Sequence, residues 1–253
     1  MNYILITGAS AGIGEVFAEQ LAAQGHNLIL TARREERLQA LASKLESQYK
    51  ISTQIITADL SDSNGAETLA SKIINEGWAL NGLINNAGFG DRGAFTELSL
   101  DRQLQMIQLN VTSLVDLTHR LIPKLSQQSN SFIINVASTA AFQAGPNMAI
   151  YYATKAFVLS FSEALYEELK GQGIAVSTLC PGATASEFAS EANMTNTKLF
   201  KAGAMTAEAV VRKSLKKKDR AIVITGWKNI FGVWSGKLSP RSVTRKLAGW
   251  LQA

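Results

Sequence analysis

Cysteine is nearly missing from this 253-residue chain, Cys180 being the only one. No internal disulfide can form, and a reducing compartment, the cytoplasm, is the expected location. Histidine is almost as scarce: His26 and His119 stand far apart, so no cluster with metal-ligand spacing can be assembled and no metal is expected. Apolar runs are frequent but short, none approaching the roughly 18 residues that span a bilayer. The apolar start, Met1 to Thr7, carries no basic residue and runs straight into a glycine-rich turn. It reads as a first strand and not as a secretory leader. Repeats, low-complexity tracts and linkers are also lacking, so one domain over residues 1–253 is expected. Acidic residues run short at one end only. Residues 201–253 hold 12 Lys and Arg against Glu208 and Asp219, whereas residues 1–200 hold 13 against 18.

What is present is alternation. Continuous apolar runs, the mark of strands buried on both faces, occur at Tyr3–Thr7, Asn27–Thr31, Ser52–Thr57, Gly82–Asn85, Ser131–Ala137, Ala175–Cys180 and Ala221–Ile224. Helix-period stretches separate them at Ile13–Gln24, Glu35–Tyr49, Gly65–Glu76, Leu100–Leu125, Ile150–Lys170 and Ala207–Lys218. This order predicts an α/β fold with a doubly wound parallel sheet and helices on both faces. The stretch from Ala185 to Gly203 reads as irregular, where a substrate lid is expected, and residues 204–253 form a basic closing segment.

Thr7-Gly8-Ala9-Ser10-Ala11-Gly12-Ile13-Gly14 follows the first strand and opens the first helix. Glycine lets the chain turn sharply and lets a pyrophosphate approach the backbone, while the helix presents free N–H groups to it. Gly8, Ser10, Gly12, Ile13 and Gly14 are therefore candidate phosphate contacts, and a tight turn without ligand is the plainer alternative. Gly8-Ala9-Ser10-Ala11-Gly12 also matches a hydrolase nucleophile elbow, but only seven residues precede it, leaving no earlier strand to supply an oxyanion donor. A carboxylate at the end of the second strand holds the ribose 2′-hydroxyl of NAD in dinucleotide-binding folds. None stands in Leu30-Thr31-Ala32-Arg33-Arg34. Arg33, with Arg34 in support, suits the 2′-phosphate of NADPH/NADP instead, unless the pair merely begins a solvated helix.

Further landmarks come in order: Asn85-Asn86-Ala87-Gly88 after the fourth strand, Asn110 in a helix, Ser138 beyond the fifth strand, then Tyr151-x-x-x-Lys155 and Pro181-Gly182. Tyr166 and Lys170 repeat the Tyr–Lys spacing, so the spacing alone is weak. Only Tyr151 has a serine thirteen positions earlier. Together the landmarks resemble the classical short-chain dehydrogenase/reductase family over nearly the whole chain. The resemblance implies a Rossmann-type sheet of about seven strands. It implies Ser138, Tyr151 and Lys155 as catalytic residues, with Asn110 supporting a water relay. A buried asparagine that caps backbone groups is the alternative for Asn110. Lys155 is expected to lower the Tyr151 pKa so that the phenol exchanges protons near neutrality. The resemblance also assigns cofactor contacts to Asp59, Leu60, Asn86, Ala87, Gly88, Tyr151, Lys155, Pro181, Gly182, Thr184 and Ser186. For Asp59 an N-cap is the alternative. The predicted reaction is NADPH-dependent reduction of a carbonyl, a hydrophobic ketone, aldehyde or 3-oxoacyl group, to an alcohol. An NAD-linked alcohol dehydrogenase and a non-catalytic nucleotide sensor are the alternatives.

Substrate contacts are expected from Ser138, Phe142, Gln143, Met148, Tyr151 and Phe188, with Met194, Leu199 and Phe200 nearby. Homo-oligomers through the Leu100–Leu125 and Ile150–Lys170 helices follow from the resemblance, and no nucleic-acid partner is expected. The tail interleaves Trp227, Trp234 and Trp250 with Lys228, Lys237, Arg245 and Lys246. That pattern fits a weak contact with a membrane surface or an acidic carrier, or simply a solvated closing helix.

Overall fold

Alternate residues of the first strand, β1 (Asn2–Thr7), enter opposite cores: Ile4 and Ile6 one, Tyr3 and Leu5 the other. The same two-faced burial recurs through β2 (Asn27–Ala32), β3 (Thr53–Thr57), β4 (Ala79–Asn85), β5 (Ser131–Val136), β6 (Ile174–Cys180) and β9 (Ile222–Ile224). In the computed structural model, which describes residues 1–201 and 203–252, these seven pair in parallel in the order β3-β2-β1-β4-β5-β6-β9. The fold is a Rossmann-type α/β fold: the alternation predicted the parallel α/β sheet, and the family resemblance its Rossmann type. The strand order reverses direction between β1 and β4, the place where open α/β sheets bind ligands outside their strand ends.

Helices α1 (Gly12–Ala22), α2 (Glu35–Tyr49) and α9 (Ala207–Lys216) cover the face holding Ile4 and Ile6, contributing Phe17, Leu38 and Val210. The other face is covered by α3 (Gly65–Asn75), α5 (Ser113–Leu125) and α6 (Ala149–Glu168), through Leu69, Leu121 and Leu165. At β4 the pairing with β1 skips Asn81, and the shift brings Gly82 under Phe132 and Ile4, where a Cβ would lie within 2.9 Å of both side chains. Only glycine fits there.

Three segments differ from the sequence reading. The expected helix over Leu100–Leu125 is broken: α4 (Leu100–Ile107) passes through a π-helical turn at Gln108–Thr112 before α5 begins. The extra residue in that turn holds Asn110. The stretch expected to be irregular is ordered in small pieces: β7 (Thr184–Ala185) pairs with β8 (Met205–Thr206), and α7 (Glu187–Glu191) and α8 (Lys198–Lys201) lie between them. Helices of five and four residues carry no readable period. After β9 the chain forms two helices, α10 (Trp227–Leu238) and α11 (Arg241–Gln252), separated by Ser239-Pro240. Proline holds the residue before it in extended backbone, which ends α10.

Candidate active site

The carboxyl ends of β1, β2, β4, β5 and β6 open onto one cavity of about 380 Å³. Its dinucleotide half begins at the turn after β1. Gly8 and Gly12 take φ values of +65° and +58°, which favour glycine, and a Cβ on Gly12 would touch Ser186 at 3.0 Å. No side chain caps the start of α1, so its first N–H groups face this groove free. Gly8, Ser10, Gly12 and Ile13 line the wall, whereas Gly14 does not. A Cβ on Gly14 would collide with the Gly8 carbonyl and the Asn86 amide, so Gly14 lets α1 pack against the turn. Thr7 ties the turn to β4, its hydroxyl accepting from the Asn86 and Ala87 N–H groups at 2.9 Å. Asn86, Ala87 and Gly88 form the next stretch of wall.

Arg33 and Arg34 both line the adenine-side end, with Asp59 and Leu60 across from them. Their contacts differ. Arg33 is 70% exposed and stands 3.9 Å from Asp59. Arg34 reaches inward, donating to the Ser10 hydroxyl at 3.1 Å and pairing with Glu187 at 2.9 Å. Glu187, which the sequence reading did not single out, also meets Arg37, and these two guanidiniums, Arg37 first, hold its carboxyl below the usual range. Asp59 accepts from the Ser61 N–H and hydroxyl, a local turn contact that leaves it at the cavity wall.

Ser138, Tyr151 and Lys155 converge where β5 meets α6. Ser138 begins a short 3-10 turn, its hydroxyl accepting from the Ala140 N–H at 3.1 Å and facing the Pro181 carbonyl at 3.5 Å. One helical turn brings Lys155 under Tyr151, and its ammonium donates to the Val136 carbonyl at 2.8 Å. The expected depression of the phenol is not what the fold produces. Burial raises the Tyr151 pKa above its ordinary value, with the Ser138 hydroxyl pulling the other way. Burial also pushes the Lys155 ammonium down to about 8. The same low-polarity surroundings penalise both charged forms, so the resting pair is a protonated phenol above a weakened cation. Tyr166 and Lys170 lie away from the cavity.

Asn110 does not line the cavity. Buried in the π-turn, its side chain exchanges hydrogen bonds with the backbone of Phe89, at 3.0 and 3.1 Å, and donates to Thr154 at 3.2 Å. It thereby fixes the segment after β4 that carries Gly88 against α6. Pro181, Gly182, Thr184 and Ser186 complete the dinucleotide half after β6.

The substrate half is walled by Gln143, Phe188, Met194, Leu199 and Phe200, as expected. Phe188 lies against Tyr151, ring centroids 5.5 Å apart. Two expected contacts are corrected. Phe142 packs outward against Leu114, Ala141 and Val158, and Met148 is buried behind Tyr151 with Met106. Tyr152, Leu251 and Gln252 are among the wall residues that the sequence reading did not single out. Gln252 donates to the Tyr152 hydroxyl at 2.7 Å, and its carbonyl accepts from Arg92 at 2.7 Å, so α11 closes one side. No local signal marks a contact between residues this far apart in sequence. Cys180 is buried, and burial pushes its thiol up to about 12, which leaves it unreactive. Among the described residues no group of His, Cys, Asp and Glu forms a metal site.

The sequence profile of the short chain dehydrogenase family matches residues 2–197. The chain belongs to that family. A sulfoacetaldehyde reductase from Chromohalobacter salexigens is 38% identical over 188 residues, 73% of each chain. The inactive hydroxysteroid dehydrogenase-like protein 1 of Homo sapiens is 31% identical over 76% of this chain, and this chain spans only 58% of that protein's length. Among solved structures, a short-chain dehydrogenase from Sphingobium yanoikuyae in complex with NADPH superposes with a TM-score of 0.83. It is 31% identical and covers 94% of this chain and 95% of its own.

Proposed function

We propose that this chain is an NADPH-dependent carbonyl reductase. The observation that carries the reading is the convergence of Ser138, Tyr151 and Lys155 on one cavity whose other half is a positive-φ glycine turn at an uncapped helix start. The residues present fit a dinucleotide. The turn and α1 would hold its pyrophosphate, Arg34 and Arg33 its 2′-phosphate, and Lys155 its nicotinamide-side ribose. When bound, NADPH supplies a hydride to the carbonyl carbon. Ser138 donates a hydrogen bond to the carbonyl oxygen and Tyr151 gives that oxygen its proton. The Lys155 cation then stabilises the phenolate left behind. Phe188, Met194, Leu199 and Phe200 exclude water and favour an apolar ketone, aldehyde or 3-oxoacyl group. The segment carrying α7 and α8 serves as the lid.

The NADPH-bound relative and the reductase named above support this direction and cofactor. Intact Ser138, Tyr151 and Lys155 favour an enzyme over a sensor. We also place the protein in the cytoplasm as a homo-oligomer. Leu100, Leu104 and Ile107 form an exposed apolar stripe on α4, with Phe157 exposed on α6, which supports assembly through those helices. The test is titration with NADPH and NADH, then NADPH oxidation against aldehydes, ketones and oxoacyl thioesters. NADPH should bind more tightly, and the double change Arg33→Asp, Arg34→Asp should reverse the preference. Tighter NADH binding by the unaltered protein would overturn the cofactor assignment.

A further inference from the structure

The last two helices partition their side chains the wrong way round for a water-facing surface. α10 buries Val233 and half-buries Gly236, yet Trp227, Phe231, Trp234 and Leu238 are 58–88% exposed. Their spacing of four, three and four places them along one side of the helix. α11 does the same, burying Ala248 and packing Gly249 on Pro146 while exposing Val243, Leu247 and Trp250. A single exposed leucine needs no explanation, but seven large apolar side chains on consecutive helices mark a contact surface.

The charges around them identify the partner. From Arg220 to Gln252 there is no acidic residue, while Lys228, Lys237, Arg241, Arg245 and Lys246 stand exposed on these two helices. Lys237 lies 5.2 Å from the Trp234 ring centre, so cation and aromatic share one edge of the patch. We infer that α10 and α11 form a docking surface for an anionic lipid bilayer. Large aromatics and leucines enter the acyl boundary while the flexible lysines stay at the headgroups. No described helix is long and apolar enough to cross a membrane, so the contact is interfacial. A second copy of the chain is disfavoured, since a two-fold contact would set these cations against their own copies.

The test is flotation of the full-length protein with vesicles of phosphatidylglycerol and phosphatidylcholine, against vesicles of phosphatidylcholine alone, with tryptophan emission recorded. Binding to the anionic vesicles with a blue shift is expected, weakening about fivefold for each of Lys228→Gln and Lys237→Gln. Phe231→Asp with Leu238→Asp should abolish binding and leave circular dichroism and dinucleotide affinity unchanged. No flotation at low salt overturns the inference. Binding that survives the double aspartate variant overturns it too, in favour of a purely electrostatic acidic partner. A monomer-sized shift of the double variant in sedimentation velocity, without lipid binding by the parent, assigns the face to self-association instead.

Discussion

The two residues at the centre of the site have opposite relations to stability. Tyr151 keeps its proton because burial disfavours the phenolate, and it lies on the Phe188 ring. Tyr151→Phe removes one hydroxyl and leaves that packing. Turnover should fall by roughly 10²–10⁴-fold with unfolding midpoints nearly unchanged, read by single-turnover kinetics and thermal melts. Lys155 is the reverse case. Its ordinary pKa of 10.5 falls to about 8 in the fold, so the unfolded chain keeps a proton that the folded chain releases. Below pH 8 the buried cation costs its full desolvation, and the cost fades as pH rises from 8 to 10.5. Lys155→Met should therefore stabilise the protein at neutral pH by about 1–2 kcal/mol, abolish activity and flatten the rise of stability across that window. Urea titrations at pH 7 and 10 check it. These two residues were legible because Ser138 and the ordered landmarks give their spacing a context that Tyr166 and Lys170 lack. That Arg34 meets the Ser10 hydroxyl was not legible, since the two stand 24 positions apart and only the fold brings them together.

Elements were legible where they are long. Every sheet strand of five residues or more lies within three residues of its expected bounds, because runs buried on both faces announce themselves. The π-turn was not, since the apolar period continues through it. Its function can be separated from its stability contribution. Asn110→Ala leaves the Phe89 N–H and carbonyl without their side-chain partner, at a cost of about 1–3 kcal/mol. Because the segment carrying Gly88 loosens, dinucleotide affinity should fall as well, and Asn110→Asp should recover less than half of it. Calorimetric binding alongside chemical denaturation distinguishes the two effects. α10 and α11 hid for another reason: their large residues face outward, so a reader assigning apolar positions to the interior puts the wrong side in.

At the scale of the molecule, the exposed stripe on α4 predicts assembly. Leu104→Asp, at a residue 53% exposed, should shift the protein to a smaller species in size-exclusion chromatography with light scattering, with its thermal midpoint largely kept. The seven-stranded sheet and the cavity together depend on contacts between distant parts of the chain. The bond from Gln252 to Tyr152 joins positions 100 apart, and that from Arg92 to Gln252 joins positions 160 apart. During synthesis the glycine turn leaves the ribosome well before α11. Nascent chains thus carry a dinucleotide groove whose substrate side still lacks a wall, and only the arrival of α11 turns an open cleft into a selective pocket.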